Sequence, residues 1–305
     1  MQHRSFAGRE VGSRHYLVGV STSICDGERI HILNQHVLII GEQSVRLFQC
    51  DDGFGAFTEE SDLAFAEQAL PGNLKLLEVM LRSDPENRRL LRLVSEGYNS
   101  YALAYLEDTD PVRARDFYLR GRDFALRILR EDEEFSRALD GPLDAFQAAL
   151  DRRGAEDVPA IFWAAFGWGS YIYLSLTDPN AIVELPKAEA MMQFVSRVDS
   201  SYYFGGADLF LGTLYGSRPK ILGGNLEKAR GHFERALRTN RGEFLMTYVY
   251  YARSVAVQSL DESLFDELLG KVDAASPDVL PKARLANMVA KKKAQLLHSR
   301  KQDLF

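Results

Sequence analysis

The sequence predicts an all-α protein, a right-handed solenoid of degenerate helical hairpins preceded by an arm of different character. Three observations carry this. Residues 159–177 form an apolar, aromatic stretch with no charged side chain. Helical patterns punctuated by acidic and proline-containing turns lie on both sides of it. Small and aromatic residues recur at matching helical spacings, best in Leu211, Gly212 and Tyr215 followed by Ala229, Phe233 and Ala236.

Composition sets the outer limits. Of 305 residues, 46% are hydrophobic and 26% charged, ordinary for a soluble globular protein. A net charge of −6 argues against a nucleic-acid partner, which calls for a basic balance. The two cysteines, Cys25 and Cys50, both fall in the arm, so the body holds no disulfide framework and no CxxC metal site.

The arm covers residues 1–57 and the repeat domain residues 58–305. Within the arm, Val37-Leu38-Ile39-Ile40 and Val45-Arg46-Leu47-Phe48 suggest short strands. Arg4, Arg9 and Arg14 precede the apolar residues 16–20, which resemble a poor export signal. Ser21 to Cys25 then resembles a lipoprotein cleavage site with a bulky Ile24, and Cys25 is the candidate for lipidation.

Helix starts at Glu59-Glu60-Ser61-Asp62, where carboxylates meet the positive end of the helix dipole. Leu63, Ala66, Leu70, Leu74, Leu77 and Leu81 keep helical spacing across Pro71. Ser83-Asp84-Pro85-Glu86-Asn87 ends that helix and caps the next. Residues 90–106 and 112–129 make a first hairpin around Asp108-Thr109-Asp110-Pro111. Gly141-Pro142 breaks the chain before a short helix, residues 143–150.

The aromatic stretch comes next. A helix without a polar face is either a membrane span or enclosed by other helices. Its uncharged run is near the minimum for a span, about 17–25 residues. Trp163, Phe166, Gly167 and Ser170 instead match the first helix of a tetratricopeptide repeat, where the small residue admits a neighbouring helix. Residues 185–198 pair with it after Thr177-Asp178-Pro179-Asn180. Residues 244–260 and 261–274 form a further pair, and residues 281–304 a final helix. Pairs at about 35–50 residues satisfy the three-repeat minimum for such an array.

The order of several segments resembles a known family. They include Ala69-Leu70-Pro71, Glu96-Gly97-Tyr98, Trp163-Ala164-Ala165 with Gly167, Leu185-Pro186-Lys187, Ala229-Arg230-Gly231-His232-Phe233, and Arg284-Leu285-Ala286-Asn287. Together they are similar to the T component of TRAP transporters, the TatT family. The resemblance implies a tetratricopeptide-like periplasmic lipoprotein. It implies a homo-oligomer, a trimer by likeness, working beside a DctP-type substrate-binding protein. A generic tetratricopeptide scaffold for protein–protein interaction is the alternative.

Enzyme signatures are absent: no HExxH, GxSxG, P-loop or GxGxxG occurs. No cofactor or metal is expected. His232 and His298 are the histidines of the body, and His232 reads as a hydrogen-bonded residue in a helix–helix contact. Arg113, Arg120 and Arg127, seven residues apart, read as a solvated face. The aromatics are either closed core or the wall of an apolar cavity for a hydrophobic organic acid or lipid-like ligand. On the second reading Trp163, Phe166, Trp168 and Tyr203 border the cavity, and Tyr251 or Arg253 supplies polarity at its rim.

Overall fold

The computed structural model describes residues 31–33, 36–38 and 51–305. The chain divides between Gly53 and Phe54. In the first part, β1 (His31–Leu33) and β2 (His36–Leu38) pair antiparallel, with Ile32 opposite Val37. The expected strand at residues 37–40 is thus seen in part. Residues 39–40 and 45–48, together with Cys25 and Cys50, lie outside the described residues.

From Asp51 on, the described residues form helices joined by turns and short connections. The early elements are α1 (Asp51–Thr58), α2 (Leu63–Ser83), α3 (Arg88–Tyr101) and α4 (Pro111–Leu129). A turn of π-helix, Ala102–Leu106, extends α3. Short α5 (Glu133–Leu139) and α6 (Leu143–Leu150) lead to the aromatic helix α7 (Val158–Tyr173). Then come α8 (Pro179–Val183), α9 (Leu185–Val198), α10 (Tyr202–Gly216) and α11 (Leu226–Thr239). The last are α12 (Met246–Tyr251), α13 (Glu262–Ala274), α14 (Arg284–Ser299) and α15 (Lys301–Leu304). A second π turn, Ala252–Ala256, extends α12.

Side-chain caps fix the starts. Asp62, Asn87, Asp110, Asp132, Asp178, Asn225 and Asp261 each accept a backbone N–H of the first turn. Each such cap is worth about 1 kcal/mol. Within the 83–87 segment the cap of α3 is Asn87, the residue directly before the helix. Pro111 and Pro179 open α4 and α8, where a missing N–H costs nothing. Pro71 lies inside α2, which runs through it. The expected final helix is split, with Arg300 between α14 and α15. The seven residues of α5 carry too short a pattern to be read from sequence.

Neighbours in sequence pack as hairpins. Ser95 Oγ donates to the Gly121 carbonyl at 2.6 Å, and Arg127 Nη2 to the Pro85 carbonyl at 2.5 Å. The end of α4 therefore lies beside the start of α3, and the two run antiparallel. α10 and α11 do the same: Asn225 N reaches the Tyr215 carbonyl, and Asn240 Nδ2 reaches the Phe204 carbonyl at 3.0 Å.

Glycines set the closest approaches. A Cβ on Gly167 would lie 2.6 Å from the Tyr118 carbonyl oxygen, so only hydrogen fits between α7 and α4. A Cβ on Gly212 would lie 2.9 Å from the Phe233 ring of α11. Burial of α7 is nearly complete, from Ile161 to Ala165 and again at Gly167, Trp168 and Gly169. No helix among the described residues is long and apolar enough to cross a membrane.

The Gly212 contact is testable. Gly212→Leu overpacks the α10–α11 seam and is expected to cost about 1–3 kcal/mol, read as a lowered thermal midpoint. An unchanged midpoint would show that α10 and α11 do not pack through this residue.

Candidate functional site

The first helices of successive hairpins each leave one strip uncovered. On α7 the partly exposed Phe166, Ser170 and Tyr173 recur at i, i+4 and i+7. On α3 and its π turn, Glu96, Ser100, Leu103, Ala104 and Glu107 form the matching strip. These strips face a common cavity. α10 contributes Tyr203, Leu209, Phe210 and Thr213, and α12 contributes Met246 and Tyr250. Leu285, Ala286 and Val289 of α14 close another side, and Lys282 stands just before them. The wall is overwhelmingly apolar.

Aromatic rings form one continuous wall. Trp163 meets Phe162 edge-on at 5.0 Å and Tyr203 at 4.8 Å. Tyr203 leads to Phe204, and Phe204 stacks on Phe244 at 5.2 Å. This wall depends on an unusual backbone. Tyr203, Phe204 and Gly205 all have positive φ, at 48°, 60° and 81°. Left-handed geometry costs a non-glycine residue roughly 1–2 kcal/mol. Asn240 holds the reversal through the Phe204 carbonyl and in turn bonds Thr247.

Of the sequence-predicted residues, Trp163, Phe166 and Tyr203 line the cavity. Trp163 is also core, 1% exposed, so it is both packing and wall. Trp168 and Tyr251 are placed elsewhere, while Arg253 stands behind the cavity-lining Glu107 and Tyr173. Trp168 turns its indole N–H to Glu184 at 2.6 Å beneath the Arg122 guanidinium. Tyr251 stacks on Phe233 at 4.8 Å, inside the seam between α11 and α12. Arg253 is held by Glu107 at 3.2 Å and by the Tyr173 hydroxyl at 3.0 Å. Helical periodicity fixes a residue's face on its own helix but not which neighbour that face meets.

Glu107 is the centre of a charge cluster at one end of the cavity. Tyr118 Oη donates to it at 2.7 Å, and Tyr250 Oη does so at 3.3 Å. Lys293 of α14 lies 3.6 Å away and bonds Asp108 at 2.5 Å. Burial pushes the Glu107 carboxyl up, but Lys293 and Arg253 outweigh it, and it ends below its ordinary range. Burial and the Glu107 charge together drive the Tyr118 hydroxyl well above its own.

Glu96 is the opposite case. Burial raises its carboxyl to about 7, with only Arg92 opposing, Nη1 to Oε2 at 3.2 Å. The signal for it was in the sequence: a carboxylate beside the apolar stripe Leu93, Val94, Gly97 and Tyr98. Elsewhere His232 Nδ1 sits 2.7 Å from Asp208, linking α11 to α10 as a structural contact. Among the described residues no group of three acidic, histidine or cysteine side chains is placed to hold a metal ion.

These charges have two measurable outcomes. Arg253→Met leaves a buried carboxylate short of a partner and is expected to lower stability by about 3 kcal/mol in denaturant titration. A raised acid-group value means stability is fully present below about 4.5 and is lost as pH rises toward about 7. Glu96→Gln removes that loss. The stability of the variant relative to wild type should climb by roughly 3 kcal/mol between these limits, as read from melts across pH. A flat difference would place Glu96 in contact with water.

An uncharacterized protein of Treponema pallidum (strain Nichols) is 27% identical over 265 residues, covering 82% of each chain. The sequence pattern of the TRAP transporter T-component matches residues 59–305, the helical body from α2 onward with most of the cavity wall. The chain belongs to the family of TRAP-transporter T components, accessory proteins of a solute transporter.

Proposed function

We propose that the chain is a non-enzymatic accessory component of TRAP-type solute transport that holds a hydrophobic organic acid or lipid-like ligand in its aromatic cavity. We further infer that it works in the periplasm beside a DctP-type substrate-binding protein. The observation that carries the ligand reading is the strip left uncovered on α3, α7 and α10. Burying those strips against one another would gain about 25 cal/mol per Å² of apolar area. The fold forgoes that gain and keeps them apart around a cavity. Tyr203 and Phe204 hold left-handed geometry in the cavity wall, and such strained backbone clusters at ligand sites.

Polar groups are sparse in the wall, which suits a mostly apolar ligand with one polar end. Tyr105 Oη, buried and lining the cavity, has no hydrogen-bond partner among the described residues. The partner reading is supported by family membership and by surface apolarity. Leu176, Ile182 and Val183 are exposed in the connection through α8, with Val183 at 78%.

Ala104 lines the cavity from the π turn after α3 without filling it, so Ala104→Trp should occlude the space at little cost to folding. Organic extraction of the purified chain and mass spectrometry is expected to release an apolar acid or lipid. The Ala104→Trp chain should retain at most about a tenth as much, with its melting point within a few degrees of wild type. Equal recovery from both chains would show that the ligand binds outside the cavity. Absence of any ligand from wild type, even after incubation with fatty acids, would reduce the cavity to a packing defect.

A further inference from the structure

The cavity has two carboxyls on the α3 strip, and they differ in kind. Glu96 and Glu107 are eleven residues apart, three helical turns, which separates their Cα atoms by roughly 16 Å along the wall. Glu107 is saturated by Arg253, Lys293, Tyr118 and Tyr250. Glu96 has one hydrogen-bond partner among the described residues, Arg92, which takes one oxygen. Glu96 lines the cavity together with Gly97, Ser100, Trp163 and Tyr203.

We propose that Glu96 receives the polar end of the ligand, and that an anionic ligand enters only with Glu96 protonated, so that each anion entering a site whose Glu96 was ionised brings a proton with it. This rests on the reading of the cavity as a site for an apolar ligand. An anion beside an ionised carboxylate in an apolar wall is repelled with little water to screen it. Once protonated, the same carboxyl donates its O–H to the anion as a charge-assisted hydrogen bond. Charge balances: one anion and one proton are taken up, and the site's net charge is unchanged.

The surroundings of Glu96 fit this role. On its own helix it faces Arg92, whose positive charge favours an anion in either state. From α10 it faces the Tyr202 and Tyr203 hydroxyls, both kept protonated by burial and by the Glu96 charge itself. The α7 part of the wall offers Phe162, Trp163 and Phe166, which do not titrate. The other ionisable groups lining the cavity are Tyr105, Glu107, Tyr173, Tyr250 and Lys282. Burial holds the Tyr105 and Tyr250 hydroxyls protonated, and Glu107 stays ionised. Because burial brings the Glu96 carboxyl to about 7, the coupling acts in the neutral range. A neutral ligand of the same shape loads at any pH in that range.

Two fluorescent probes share one ring frame and separate these cases. Anilinonaphthalene sulfonate is anionic throughout the neutral range; N-phenylnaphthylamine is uncharged. With the full chain, the dissociation constant of the sulfonate should rise about tenfold from pH 6 to pH 8, while that of the neutral probe changes less than about twofold. Glu96→Gln should abolish the pH dependence and leave the sulfonate bound at its low-pH affinity. Calorimetry in two buffers of different ionisation heat adds a wild-type readout. Roughly half a proton should be taken up per sulfonate near pH 7, and none per neutral probe. Equal pH slopes for the two probes, no proton uptake, or a slope that survives Glu96→Gln would overturn the proposal. If neither probe binds, or Ala104→Trp displaces neither, the cavity reading itself falls and takes this one with it.

Discussion

The Glu107 carboxylate is the interaction on which the architecture turns. It stands at the C-terminal end of the first long hairpin helix, just past the π turn that extends α3. Its cationic partners arrive from the far end of the chain, Arg253 from the π turn of α12 and Lys293 from α14. An array of hairpins that contacts only its neighbours is open at both ends. Here the last hairpins return to the first, and Arg284 adds a hydrogen bond to the Glu59 carbonyl at 2.9 Å. The closure leaves a lumen between the first helices, where a plain stack would have an open groove.

A closure of this kind is conditional. Replacing a buried ion pair by apolar residues is often neutral or favourable, whereas removing one partner is costly. Glu107, Arg253 and Lys293 therefore act as a set, and their value lies in register as much as in energy. Tyr118 and Tyr250 belong to the same set, since each donates its hydroxyl to this carboxylate. The two π turns sit at corresponding places in the first and last hairpins, each directly after a tyrosine, Tyr101 and Tyr251. Glu107 directly follows the first π turn and Arg253 lies within the second, so the two irregular turns carry the pair that joins the first and last hairpins.

Much of this was legible in the sequence because local chemistry announces it. Asp110-Pro111 and Asp178-Pro179 mark helix starts by capping and by fixed φ, without reference to the rest of the fold. The uncharged α7 had to be enclosed, and Gly167 marked where α4 comes close. The illegible parts depend on distant partners. Arg253 and Glu107 are 146 positions apart, and nothing in either neighbourhood names the other. Trp168 and Trp163 look alike in the sequence; only the arrival of Glu184 and Arg122 separates them. Glu96 escaped notice because a single carboxylate beside an apolar stripe looks like a solvated edge until a second wall covers it.

The left-handed Tyr203–Phe204 turn bears on how such a chain tolerates change. Glycine at either position would relieve about 1–2 kcal/mol of backbone strain but would remove a ring packed on Trp163 or Phe244, a loss that typically costs about 3–5 kcal/mol. The ring contacts therefore hold the strained backbone in place, and the reversal and the wall stand or fall together. Thinning the wall at this turn would release the backbone and loosen the start of α10, so the shape of the cavity and the stability of that hairpin are one property.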